Sequence, residues 1–128
     1  MDLTKNELQI MTVLWCADAP LTSAEILKLS VDKTWKDASL HTILKKLLDK
    51  GAIAEHGFVK DGKIISRTFI PAITREGYYT AFFAGHMVND VPMLFSALVN
   101  RADIDDETIN KLAAIIQDRQ TAMKDGHK

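Results

Sequence analysis

The sequence predicts a mainly α-helical chain with one small β-hairpin (α+β): a winged helix-turn-helix head followed by an all-helical tail. Three observations carry this prediction. Two capping-box tetrads, Thr4-Lys5-Asn6-Glu7 and Thr22-Ser23-Ala24-Glu25, each open a short apolar helical pattern. A strongly amphipathic third pattern ends on Lys50-Gly51, and two β-rich runs around Asp61-Gly62 follow it directly. Helix, helix, helix and hairpin within about 70 residues is the element order of a winged helix, whose third helix suits a major groove and whose wing lies along the backbone.

The first helix is predicted over about residues 5–17, with Leu8, Met11, Leu14 and Trp15 as its apolar positions, and Ala19-Pro20 stops it. After the second capping box, Ile26, Leu27 and Leu29 mark a shorter helix. Leu40, Ile43, Leu44, Leu47 and Leu48 then recur at the spacing of one helix face, and Gly51 supplies a C-cap. The opposite face carries Ala38, Ser39, His41, Thr42, Lys45, Lys46 and Asp49. These are small, hydrogen-bonding and cationic groups rather than the Glu/Lys alternation of a merely solvated helix. Residues 52–59 and 63–70 are rich in Ile, Val, Phe and Thr, Asp61-Gly62 is the turn dipeptide between them, and Pro71 ends the second strand.

Beyond Pro71 the pattern is helical three more times, over 74–87, 91–99 and 104–123, with Lys124 to Lys128 a polar, frayed end. This divides the chain into a head, 1–72, and a helical dimerisation region, 73–128. A tail this short cannot readily bury its own aromatic and aliphatic side chains, and pairing with a second copy is the economical solution. Tyr78, Phe82, Leu94, Leu98, Ile109, Leu112 and Ile116 are the candidate dimer-interface residues.

The length suits a folded soluble protein, and the charge is basic only locally. The 128 residues, 47% hydrophobic and 26% charged, suffice for a folded core. Polar residues directly after Met1 and the lack of a long apolar run predict neither leader nor membrane span, hence a cytoplasmic protein without a membrane partner. The net charge of -1 gives no overall basic signal, but residues 33–67 hold eight Lys or Arg against four Asp or Glu, and acids exceed bases from residue 71 onward.

The opening run from Leu3 to Trp15 and the third-helix run Ser39 to Gly51 are similar to the corresponding helices of the BlaI/MecI/CopY group of bacterial repressors. The third helix matches at Thr42, Leu44, Leu47, Lys50 and Gly51, with Lys46 where arginine is frequent, and the resemblance extends from about Leu3 to Gln117. It implies a winged-helix head, a dimerising tail and an inverted-repeat operator on double-stranded DNA. It departs from the group in its hairpin, a few residues longer than the short wing expected there, and in two motifs. The Asn-Phe pair cleaved in protease-controlled members is replaced by Ser96-Ala97, and the paired Cys-x-Cys motifs of the copper-sensing branch are missing.

The candidate DNA-binding residues are therefore Lys36, Lys45, Lys46, Lys60, Lys63 and Arg67 for phosphates, and Ser39, His41 and Thr42 for base edges. Thr22 and Ser23, at a helix N-terminus, are minor phosphate candidates. His41, His56, His86 and His127 lack metal-ligand spacing, so neither metal nor other cofactor is expected. Trp15 and Trp35 are expected to pack rather than stack on bases, and Cys16, the single cysteine, to be a buried, inert thiol. With no phosphate loop, nucleophile elbow or catalytic grouping, an enzyme is not expected. The alternative is a winged helix whose third-helix face and wing bind a polypeptide.

Overall fold

The computed structural model describes residues 1–86 and 90–126; the predicted end of the fourth helix at Met87, with His127 and Lys128, lies outside them. The described elements run α1 (Lys5–Ala17), β1 (Leu21–Thr22), α2 (Ser23–Leu29), a 3₁₀ turn (Asp37–Ser39), α3 (Leu40–Lys50), β2 (Ile53–Asp61), β3 (Ile64–Pro71), α4 (Arg75–His86), α5 (Val91–Val99) and α6 (Asp106–Asp125). They form two compact units, Met1–His86 and Met87–Lys128. The helix α4 thus clusters with the head.

Both predicted capping boxes close. The Thr4 hydroxyl accepts from the Glu7 amide at 3.2 Å while the Glu7 carboxylate accepts from the Thr4 amide at 2.8 Å. Thr22 and Glu25 repeat the exchange at 3.2 and 3.1 Å. Each box satisfies amides that the first helical turn leaves open, which sets where α1 and α2 begin.

The buried stripe of α1 is Glu7, Ile10, Met11 and Leu14. This differs from the apolar pattern of the sequence, because Leu8 and Trp15 lie at its margins, half-buried. On α2 only Ile26 is buried, and Leu29 is exposed, contrary to its place in the predicted pattern. Leu40, Ile43, Leu44 and Leu47 of α3 face this stripe and complete one core with Leu21, Trp35, Ile53 and Phe69.

The sheet is three-stranded and antiparallel, in the order β1-β3-β2. Its first strand has no counterpart in the sequence pattern: only Leu21 and Thr22 form it, through their pairing with Phe69 and Thr68. The turn sits one residue later than predicted, since Asp61 pairs with Ile64 and leaves Gly62-Lys63 as the loop. Gly62 takes φ 62°, the left-handed conformation that a two-residue hairpin loop requires. A bulge between Glu55 and Gly57 adds His56 to β2 without a partner, a device that increases twist and re-aims the outer hairpin.

On α4, Tyr78 is buried, accepting a 3.2 Å hydrogen bond from the Leu3 amide, with its ring centroid 6.2 Å from that of Trp15. The Trp15 indole N–H donates to the Ile73 carbonyl at 2.9 Å, so this half-buried side chain pins the exit of β3 to α1. Trp35 is buried in the core, as expected of a packing residue. Cys16 is exposed, correcting the expectation of a buried thiol; it lies off the buried stripe, with the Arg75 guanidinium 3.3 Å from Sγ.

In the second unit, Asp90 caps α5 by accepting from the Met93 amide and Asp105 caps α6 by accepting from the Thr108 amide. No residue of either helix is buried. Among the described residues no single helix is long and apolar enough to cross a membrane.

Candidate nucleic-acid interface

The outward face of α3 follows from its inward one. With Leu40, Ile43, Leu44 and Leu47 buried, the helical period turns His41, Thr42, Lys45, Lys46 and Asp49 to solvent, and all five are exposed or nearly so. Ala38 is also exposed, and Ser39, the last residue of the 3₁₀ turn, is half-buried. Among the described residues, the side chains of His41, Thr42, Lys45 and Lys46 make no hydrogen bond and no ion pair within the chain. Their donors and charges are directed outward.

The helix is capped at its C-terminus, and the loop that leads into it is tied to α1. At its C-terminus Gly51, at φ 76°, donates to the Leu47 and Leu48 carbonyls. On the N-terminal side, the loop from α2 is tied to α1 by the Thr34 amide, which donates to Gln9 Oε1 at 3.1 Å, and by its hydroxyl, 2.6 Å from Asn6 Oδ1. Lys50, in the last turn, reaches across to α1: its Nζ lies 2.6 Å from Glu7 Oε1 and 3.1 Å from the Asp2 carbonyl.

That pairing revises the charge map read from the sequence. Lys50 neutralises a buried carboxylate, Lys33 is paired with Asp37 at 2.7 Å, and Arg67 is paired with Glu55 at 2.5 Å. Lys36, Lys45, Lys46, Lys60 and Lys63 are exposed and, among the described residues, without an acidic partner. The cationic surface therefore lies at the entry to α3, along its outer face and at the hairpin tip. Thr22 does not fit a phosphate contact. It is buried, and its hydroxyl is engaged with Glu25, whose own carboxylate already occupies the free end of α2.

Burial opposes ionisation of Glu7, but the hydrogen bond from Lys50, the two bonds exchanged with Thr4 and the Lys50 charge outweigh it and hold the carboxyl below the usual glutamate range. The ammonium of Lys50 is thus committed to structure. The sequence signal for this role was available in part: Glu7 stands three and seven residues before Ile10 and Leu14, on the stripe that faces the core.

Among the candidate interface residues of the tail, Tyr78 is buried within its own head, which leaves it little surface for a partner. Phe82 is half-buried, packed between Tyr78 and His86 in tilted arrangements at centroid distances of 6.0 and 4.4 Å. In the second unit Leu94 and Leu112 are half-buried, whereas Leu98, Ile109 and Ile116 are exposed. Among the described residues no three His, Cys, Asp or Glu side chains gather as a metal site.

A three-helix head with a small antiparallel sheet and a hairpin defines a protein of the winged-helix class. Comparison with known proteins gives the family. The penicillinase repressor family model matches residues 3–118. A penicillinase repressor of Bacillus licheniformis is 28% identical over 129 residues, covering 96% of this chain and 95% of its own. Among solved structures, monomeric Bacillus licheniformis BlaI in complex with the blaP half-operator is 29% identical, with a TM-score of 0.46 over 61% of this chain and 89% of that one. Bacillus subtilis PadR in complex with operator DNA is 19% identical, with a TM-score of 0.47 over 94% and 64% of the respective chains. The chain belongs to the penicillinase repressor family. It is a DNA-binding transcriptional repressor by family and not an enzyme.

Proposed function

We propose that the chain works as a homodimer in the cytoplasm and represses transcription by seating two α3 helices in successive major grooves of an inverted-repeat operator. One observation carries this reading: α3 buries a purely apolar face and turns an outer face of unpartnered hydroxyl, imidazole and ammonium groups to solvent. In this arrangement Ser39, His41 and Thr42 meet base edges, while Lys36, Lys45, Lys46, Lys60 and Lys63 meet phosphates. Arg67 takes part only by exchanging Glu55 for a phosphate, which makes it the weakest of the set. The region 73–128 supplies the pairing, with Leu98, Ile109 and Ile116 as its exposed apolar contacts and Phe82, Leu94 and Leu112 as half-buried ones. Membership of a repressor family supports the reading.

The experiment is a selection of duplexes from a random library by the full chain, followed by a stoichiometric titration of the enriched duplex. Enrichment of inverted repeats that saturate at two chains per duplex is expected. Enrichment of single, unpaired sites at one chain each would contradict the dimeric part, and failure to enrich any sequence would favour a polypeptide as the ligand of α3.

A further inference from the structure

A cavity of about 400 Å³ opens between α1 and the segment that follows α2. Gln9, Thr12, Val13 and Cys16 recur at the spacing of one helix face and form its first wall, with Ala17 beyond them. Val13 and Ala17 are half-buried against the core and make the inner end of that wall. Leu29, the last residue of α2, and Val31 form the facing wall, 50% and 79% exposed. Hydrocarbon on both sides of a concave space is held in water there, which favours any apolar molecule that covers it.

The chemistry of the walls limits the occupant. The Thr12 hydroxyl donates to the Leu8 carbonyl at 2.8 Å and the Ser30 hydroxyl to the Ile26 carbonyl at 2.6 Å. Gln9 Oε1 accepts from the Thr34 amide, and the ammonium of Lys33, the one charged residue of the lining, lies 2.7 Å from Asp37. A charged ligand therefore meets no free counter-charge on either wall, and burying it unpaired is costly. The volume suits a small ring compound and is too small for a partner helix, about 10 Å across.

We propose that this cavity is an effector site for an uncharged, mostly apolar small molecule, and that its occupation weakens DNA binding. The second half rests on the DNA-binding reading above. Gln9 carries the coupling, because it lines the cavity and also holds Thr34, three residues before the 3₁₀ turn that leads into α3. A ligand seated against Gln9 displaces it from Thr34 and frees the segment that sets Lys36, Ser39 and the start of α3. By linkage, DNA that needs α3 held in place lowers the affinity of the cavity by the same factor.

The test uses the full chain, with phenylnaphthylamine, an uncharged fluorescent aromatic, as the probe. Leu29→Gln/Val31→Gln and the conservative Leu29→Met are the variants, both at exposed positions outside the core. Cys16, the single cysteine, lines the cavity, so its alkylation by iodoacetamide reads occupancy directly. Wild type is expected to take up the probe with slowed alkylation of Cys16, the glutamine variant to bind about tenfold or more weakly, and Leu29→Met to stay close to wild type. Saturating probe is expected to weaken wild-type binding to its enriched duplex about fivefold or more, and that of the glutamine variant little. No uptake, or uptake that the glutamine variant retains with Cys16 alkylated at its unliganded rate, would overturn the site. An occupied cavity with unchanged duplex affinity would overturn the effector role. Failure of wild type to enrich any duplex, with the cavity occupied as expected, would instead remove the DNA reading and the effector role that rests on it, leaving the binding site itself.

Discussion

Nζ of Lys50 lies 2.6 Å from Oε1 of Glu7, joining the end of the third helix to the start of the first through a carboxylate on a residue that is only 1% exposed. The same carboxylate closes the capping box of α1. One side chain therefore fixes the start of one helix and anchors the end of another, and the outward face of α3 is held by that anchor. Lys50→Met leaves Glu7 buried and unpaired. The variant is expected to lose about 2–3 kcal/mol of stability in urea unfolding, less than for a fully buried pair because Lys50 itself is about one-third exposed. Replacing both partners by Glu7→Gln/Lys50→Met is expected to recover part of the loss.

The depressed pKa of Glu7 gives this anchor a pH signature. A carboxyl held below its ordinary value in the folded chain contributes stability that is complete above that ordinary value and is lost as the pH falls through the lowered one. The difference in unfolding free energy between wild type and Glu7→Gln should be flat at neutral pH and shrink only below about pH 4.5. A difference that declined between about pH 8 and pH 6 would place the ionisation elsewhere.

Trp15 ties α1 to the segment after β3 through its indole N–H and the Ile73 carbonyl. Trp15→Phe keeps the aromatic packing against Tyr78 and removes the donor, and a loss of about 1–2 kcal/mol is expected by thermal or chemical unfolding. A neutral result would show that water replaces the donor without cost.

The tail prediction concerns assembly alone. Leu98→Glu and Ile116→Glu place charges on exposed apolar positions of α5 and α6. If the tail pairs as proposed, wild type sediments as dimers and each variant as monomers with an unchanged far-ultraviolet spectrum, because an unpaired carboxylate cannot be buried in an apolar interface without large cost.

Much of this was legible in the sequence, and the residues show why. The outward face of α3 was readable because a helix with Leu40, Ile43, Leu44 and Leu47 inward has only one way to orient His41, Thr42, Lys45 and Lys46. The capping boxes were readable because their partners are three residues apart. What escaped depends on partners distant along the chain. Lys50 reads as one more surface cation until Glu7 is found beside it, and Leu21-Thr22 becomes a strand only because Phe69 and Thr68 come alongside. The turn moved to Gly62-Lys63 because pairing across β2 and β3, rather than the Asp61-Gly62 dipeptide, sets the register. The exposure of Cys16 was within reach, since it lies two residues past Leu14 and off the buried stripe.

The most direct test of the central claim is the salt dependence of DNA binding for wild type, Lys46→Ala and Thr42→Ala on an enriched inverted repeat and on its single-base-pair variants. With α3 in the major groove, wild-type affinity falls steeply with salt. Lys46→Ala weakens binding to all sequences and lowers the slope of log affinity against log salt by about 0.9 for each phosphate that the lysine no longer neutralises, while Thr42→Ala relaxes discrimination at one base pair per half-site and leaves the slope alone. Equal slopes and equal sequence preference in all three proteins would show that the outer face of α3 does not touch the DNA.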